Sequence, residues 1–146
     1  MEQNPFIYNL SQTIEYTKDG DFAKTATIEL NGPTMAVFDL SSQLSQLVMR
    51  AMLDAQDLKD KFNSDEVTAE QAAASIDDKA VKMILLASKS VKFSDTADIC
   101  KKLFVKVGTY DGKLPLRDAA FRNISIADFT EMICGYIANF IIPSLF

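Results

Sequence analysis

The chain has 146 residues, with 15 basic and 20 acidic side chains, a formal charge of −5, and 48% hydrophobic residues. That is enough apolar material for a packed core, which excludes intrinsic disorder by composition; the acidic balance argues against a dedicated nucleic-acid binder, whose footprint is a basic stripe. Histidine is absent, which removes the commonest general base and the commonest transition-metal ligand.

The length fits a single domain over residues 1–146, with an N-terminal segment at 1–32 and a helical body at 33–146. The first residues show no basic region followed by an apolar run, so no secretory signal is expected. The longest apolar stretch, Met132 to Ile142, is shorter than the roughly 20 residues a bilayer span needs, and it contains Gly135 and Asn139. A cytoplasmic protein is the expectation. Cys100 and Cys134 each sit in an apolar helical context. Buried free thiols are expected there, with a disulfide as the alternative.

Residues 1–12 read as an irregular lead-in, because Pro5 discourages a helix. Thr13 to Thr17 alternates, with Ile14 and Tyr16 on one side. Lys18-Asp19-Gly20-Asp21 supplies a turn, and Phe22 to Leu30 alternates again with Ile28 and Leu30 inward. Period two around Asp-Gly predicts a β-hairpin. An isolated hairpin is marginal in water, so it must lie on a helix, gain a further strand or pair with another copy. Its apolar face is expected to cover the helix that follows.

That helix is the longest patterned segment, Pro33 to Phe62. Val37, Leu40, Leu44, Leu47, Val48, Ala51, Ala55, Leu58 and Phe62 recur at steps of three or four and form one face. Phe38, Met49 and Met52 widen the stripe. Pro33 suits a first turn and Thr34 suits a cap; a start at Ser41 or Ser42, after a strand from Met35 to Leu40, is the competing reading. Leu47 and Phe62 are expected in the core. Met49 and Met52, at the edge of the stripe, are candidates for partner contact, because Met side chains adapt to varied surfaces.

A second helix is expected from about Ser64 to Ser88, with Thr68 to Gln71 as a capping box and Ala80, Met83, Ile84 and Ala87 on its apolar face. A break near Asp77-Asp78 is the variant reading. Ser94 is expected to cap the next helix, whose apolar side is Ile99, Cys100, Leu103, Phe104 and Val107, with Gly108 just past its end. Thr109 to Leu116 reads as a loop, followed by a short turn around Asp118 to Phe121. Ser125 caps the last helix, Pro143 ends it, and Ser144-Leu145-Phe146 trails to the terminus. The fold class is α+β, mostly α: an N-terminal β-hairpin, a long amphipathic helix and about three further helices.

No glycine-rich phosphate loop, Cys/His pattern or calcium-loop spacing is present in the sequence. No catalytic, cofactor or metal residue is assigned, and a non-enzymatic role is expected. Interaction remains. Tyr136, Phe140, Leu145 and Phe146 concentrate at the end of the chain and must either fold back into the core or be covered by a partner.

The order of parts resembles the tail assembly chaperones of long-tailed bacteriophages. The resemblance rests on a Thr-rich hairpin running through Leu30-Asn31-Gly32-Pro33-Thr34-Met35 into a long helix with Leu44, Leu47 and Leu58, then an acidic, Ala-containing middle and a helical C-terminal half. It implies a cytoplasmic host-cell factor, absent from the finished virion, that binds the tape-measure protein, keeps it soluble and helps recruit the tail-tube protein. Helix-in-groove capture would be the physical mode, with self-association multiplying weak sites. A protein-binding regulator or inhibitor, and a structural head–tail joining component, are the alternatives from other classes.

Overall fold

The computed structural model describes residues 4–11, 27–62, 77–110, 114–116, 121 and 124–145. Its elements in chain order are β1 (Phe6–Asn9), β2 (Thr27–Leu30), α1 (Phe38–Phe62), α2 (Asp78–Ala87), α3 (Phe93–Val107), β3 (Gly108–Tyr110), β4 (Leu114–Pro115), α4 (Ile126–Tyr136) and α5 (Ile142–Leu145). An N-terminal antiparallel hairpin followed by a long helix and further helices is the expected class.

The described antiparallel pair uses a strand the sequence did not offer. It is β1, inside the segment read as irregular, and it pairs Phe6 with Leu30 and Asn9 with Thr27. Pro5 lies just before the strand, where a missing N–H does no harm. Thr13 to Ala26, with the Asp-Gly turn, lies outside the described residues. The further strands that a hairpin needs come from the segment read as a loop: β3 pairs with β2, and β4 with β3, giving a sheet in the order β1-β2-β3-β4. Ile28 and Leu30 point inward and are fully buried, as their alternation predicts. The sheet meets α4 through β1 and runs straight out of α3 through β3, so the long helix is not its principal cover.

Helix α1 begins between the two sequence readings. A 3-10 turn at Met35–Val37 leads into it, Thr34 stays extended, and the Thr34 side chain makes no capping bond. The Thr34 carbonyl instead accepts from the Val37 N–H at 3.0 Å. Pro33 therefore precedes the helix. Val37, Leu44, Val48 and Ala51 are buried, and Leu40 and Leu47 pack half-buried against them, which matches the expected face. The side chains of Leu58 and Phe62 lie outside the described residues.

Helix α2 starts at the break near Asp77-Asp78. Asp77 is its cap, accepting the Ala80 N–H at 2.9 Å. Thr68 to Ile76 lies outside the described residues. The buried positions are Val81 and Leu85, whereas Met83 and Ala87 face solvent; the inward face is rotated from the predicted one because two β-branched or Leu positions outweigh the alanines. Helix α3 opens at Phe93 without a side-chain cap, so Ser94 is not its cap. Phe93 packs against the core, which draws the first turn forward.

Gly108 follows α3, but in an extended conformation, not the left-handed one that a helix-ending glycine often adopts. Glycine is required there by space: a Cβ would sit 2.6 Å from the Phe104 carbonyl oxygen and 2.9 Å from side chains of Leu30 and Leu116. Ser125 caps α4, accepting the Asp128 N–H at 3.1 Å.

Pro143 does not end the last helix. Residues Ile137–Ile141 form a π-helical turn, where the Ile142 N–H reaches back five residues to the Ile137 carbonyl, and α5 continues through Pro143. A proline ring collides with the carbonyl four residues back in a regular α-helix. The wider turn relieves that contact, and the Asn139 amide donates to the Gly135 carbonyl at 2.7 Å. The helical run from Ile126 to Leu145 is 20 residues long and, by length and composition, could cross a membrane. It is longer than the apolar stretch seen in sequence. Most of it is buried in the protein's own core.

Candidate interaction surface

Two polar clusters hold distant parts of the chain together. At the first, the Tyr8 hydroxyl on β1 lies 2.9 Å from Asp128 Oδ1 and 2.6 Å from Glu131 Oε2 on α4. One proton serves both carboxylates. The Ser11 hydroxyl and N–H donate to Asp128 Oδ2 at 2.7 and 3.2 Å. Burial pushes the Asp128 carboxyl up, but the bonds from Ser11, Tyr8 and Ser125 outweigh it and hold the group below its ordinary value. Burial raises the Tyr8 phenol, and its bonds to Glu131 and Asp128 raise it further. Beside this cluster the Phe6 ring lies on the backbone of α4 at Gly135. A Cβ there would stand 2.8 and 2.9 Å from the Cε carbons of Phe6 and closer still to Cζ.

At the second cluster, Asp54 on α1 accepts the Ser88 hydroxyl at 2.8 Å and the Ser90 N–H at 3.0 Å through Oδ2, and the Ser90 hydroxyl at 3.1 Å through Oδ1. The bond from Ser88, then that from the Ser90 backbone, lowers the Asp54 carboxyl. In each cluster an Asp carboxylate accepts three hydrogen bonds. Charge-assisted bonds of that kind fix a carboxylate in place. Among the described residues no group of three or more Cys, Asp or Glu side chains is placed to hold a metal ion.

The candidate contact residues separate clearly. Tyr136 and Phe140 are core residues: Tyr136 stacks edge-on against Phe104 at 5.2 Å and against Phe140 at 4.9 Å, and its hydroxyl donates to the Asn31 carbonyl at 3.0 Å. Of the two alternatives for the apolar end, these two side chains take the fold-back one and are not candidates for a partner surface in this structure. Leu145 packs half-buried on the same cluster, and Met52 does so on α1. Phe146 lies outside the described residues. Among the described candidates, Met49 is the one that is well exposed, at 45%.

Other exposed apolar side chains are spread over the molecule: Ile7 on β1, Met35 just before α1, Ile126 at the start of α4, and more on α1 and α2. Phe38 and Leu53 share the outer face of α1 with Met49, and Met83 and Leu86 stand outward on α2, Met83 at 72% exposure. Their signal was in the spacing: Met49 and Leu53 are four apart and fall outside the Leu44, Val48, Ala51 stripe. A shallow cleft of ≈ 240 Å³ between α1 and α3 is bordered by Gln43, Gln46, Leu47, Arg50, Asp95 and Ile99. The cysteines are both free and buried. Burial raises the Cys134 thiol to about 11 and the Cys100 thiol higher still.

Comparison with protein-family models, with curated proteins and with solved structures found no match to this chain.

Proposed function

We propose that this chain is a non-enzymatic, protein-binding factor, and specifically a tail assembly chaperone that holds a phage tape-measure protein soluble in the host cytoplasm and helps recruit the tail-tube protein. The observation that supports this reading is the outer face of α2. Met83 and Leu86 stand in solvent one turn apart, although the core has many buried positions for side chains of that kind. Flexible Met beside Leu, bordered by the exposed Lys79 and Lys82, suits weak capture of varied amphipathic helical segments.

The test is co-expression with a tape-measure protein encoded beside this chain. The expected result is a several-fold rise in soluble client, lost with Met83→Glu plus Leu86→Glu while the thermal melt of the variant stays within a few degrees of the parent. No rise with the parent chain would end the chaperone reading, and an unimpaired double variant would move the contact away from α2.

A further inference from the structure

We propose that the outer face of α1 pairs with the same face of a second copy of this chain, antiparallel, about a two-fold axis near Ser45 and Gln46. This is independent of which client the protein binds, since it uses α1 and leaves the outer face of α2 open.

At about 100° per residue, Phe38, Ser42, Ser45, Met49 and Leu53 form one stripe along α1, to one side of the buried face of Leu44, Val48 and Ala51. Phe38, Met49 and Leu53 are exposed, and Ser42 and Ser45 between them are half-buried. The stripe is complementary to itself only when reversed. An antiparallel copy sets Phe38 against Leu53, and Met49 of each helix over the small Ser42 of the other. Serine at the middle lets the two helices approach closely, and the large side chains close both ends of the contact. A parallel copy would set Phe38 on Phe38 and leave the serines facing each other across a gap.

Charge selects the same orientation. Asp39, Gln46 and Arg50 lie along a single flank of the stripe, and all three are exposed. A two-fold axis perpendicular to the helices brings this flank against itself. Asp39 then comes within about two residues of level with Arg50 of the second copy, on the order of 3 Å along the axis, which the Arg side chain spans easily. The pair occurs twice by symmetry, and the two Gln46 amides meet at the axis. In a parallel pair this flank would face the opposite one, where Ser41 and Ser45 offer no counter-charge. The contact is short, at the small end of specific interfaces, so micromolar affinity is expected.

Sedimentation equilibrium of the full chain at tens of micromolar should give twice the 16.2 kDa chain mass. Met49→Glu with Leu53→Glu should give the single-chain mass with an unchanged circular dichroism spectrum. Asp39→Arg alone and Arg50→Asp alone should each raise the dimer Kd about tenfold or more, because each sets like charges together twice. An equimolar mixture of those two variants should regain the parent Kd, since every flank contact is again between opposite charges. A chain that remains single at several hundred micromolar, a dimer indifferent to Met49→Glu with Leu53→Glu, or a mixture no tighter than its components would overturn the proposal. None of these results depends on client rescue, so the two readings fail separately.

Discussion

Gly135 is the residue on which the attachment of the N-terminus turns. The Phe6 ring occupies the space its missing side chain leaves, and one methyl group there has no room. Gly135→Ala should destabilise the fold by about 1–3 kcal/mol in urea unfolding, the usual penalty of overpacking. The loss should shrink sharply in a Phe6→Ala background, and equal losses in both backgrounds would detach the glycine from the ring. Asp128 makes a pH prediction at the same scale. Its carboxyl is held below the ordinary value in the fold, so the ionised form is the one the fold favours. Its contribution is fully present above the unfolded carboxyl pKa of about 3.9 and is lost as pH falls through the lower folded value. Asp128→Asn should flatten the acid limb of the stability–pH curve. If parent and variant lose stability in parallel below pH 5, another group carries that limb.

At the scale of the element, α1 has two faces that behave differently although both carry methionine. Met52 packs half-buried against the core, whereas Met49 stands in solvent. Met52→Glu should lower stability by about 2 kcal/mol, because it brings a charge against apolar neighbours. Met49→Glu should change the stability of the monomer by less than about 0.5 kcal/mol. Thermal melts of dilute samples separate the two, and equal effects would mean that the helix is rotated from the orientation described. The turn between α2 and α3 is fastened to α1 by Asp54, whose acceptors take Ser88 and Ser90. Asp54→Ala should therefore speed amide hydrogen exchange at Ser90 and Val91 while leaving α4 protected. Unchanged exchange there would show that Val91, buried in the core, holds the turn without help.

Across the whole molecule, the two ends of the chain are interlocked. Tyr8 and Ser11 bind Asp128, Phe6 rests on Gly135, and the Tyr136 hydroxyl donates to the Asn31 carbonyl. Sheet and last helix should therefore unfold together. Far-ultraviolet ellipticity and tyrosine fluorescence should report coincident urea transitions, and Tyr136→Phe should shift both by about 1 kcal/mol, the worth of one buried hydrogen bond. Two separated transitions would show that the sheet is an independent unit. Cys100 and Cys134 sit inside this interlocked core with raised thiols, so neither should react with a thiol reagent at neutral pH until the chain unfolds.

The sequence by itself determined the elements whose signal is local. The stripe of Val37, Leu44, Val48 and Ala51, the cap at Ser125, and the inward pair Ile28 and Leu30 follow from period and from side-chain chemistry within a few residues. Only the tertiary structure decided the rest. Phe6 to Asn9 becomes a strand because Thr27 to Leu30 lies beside it, and Thr109 with Tyr110 joins the sheet for the same reason; a backbone edge is a partner that no local pattern announces. Gly108 and Gly135 are glycines for lack of space, which depends on Leu30, Leu116 and Phe6 arriving from elsewhere in the chain. Tyr136 and Phe140 could be a free apolar end or core in one dimension and are core in the fold, because Phe104 and the Asn31 carbonyl arrive beside Tyr136 from distant parts of the chain. Which apolar side chains stay outside, among them Met49 and Leu53 on α1 and Met83 and Leu86 on α2, is likewise settled by what packs elsewhere.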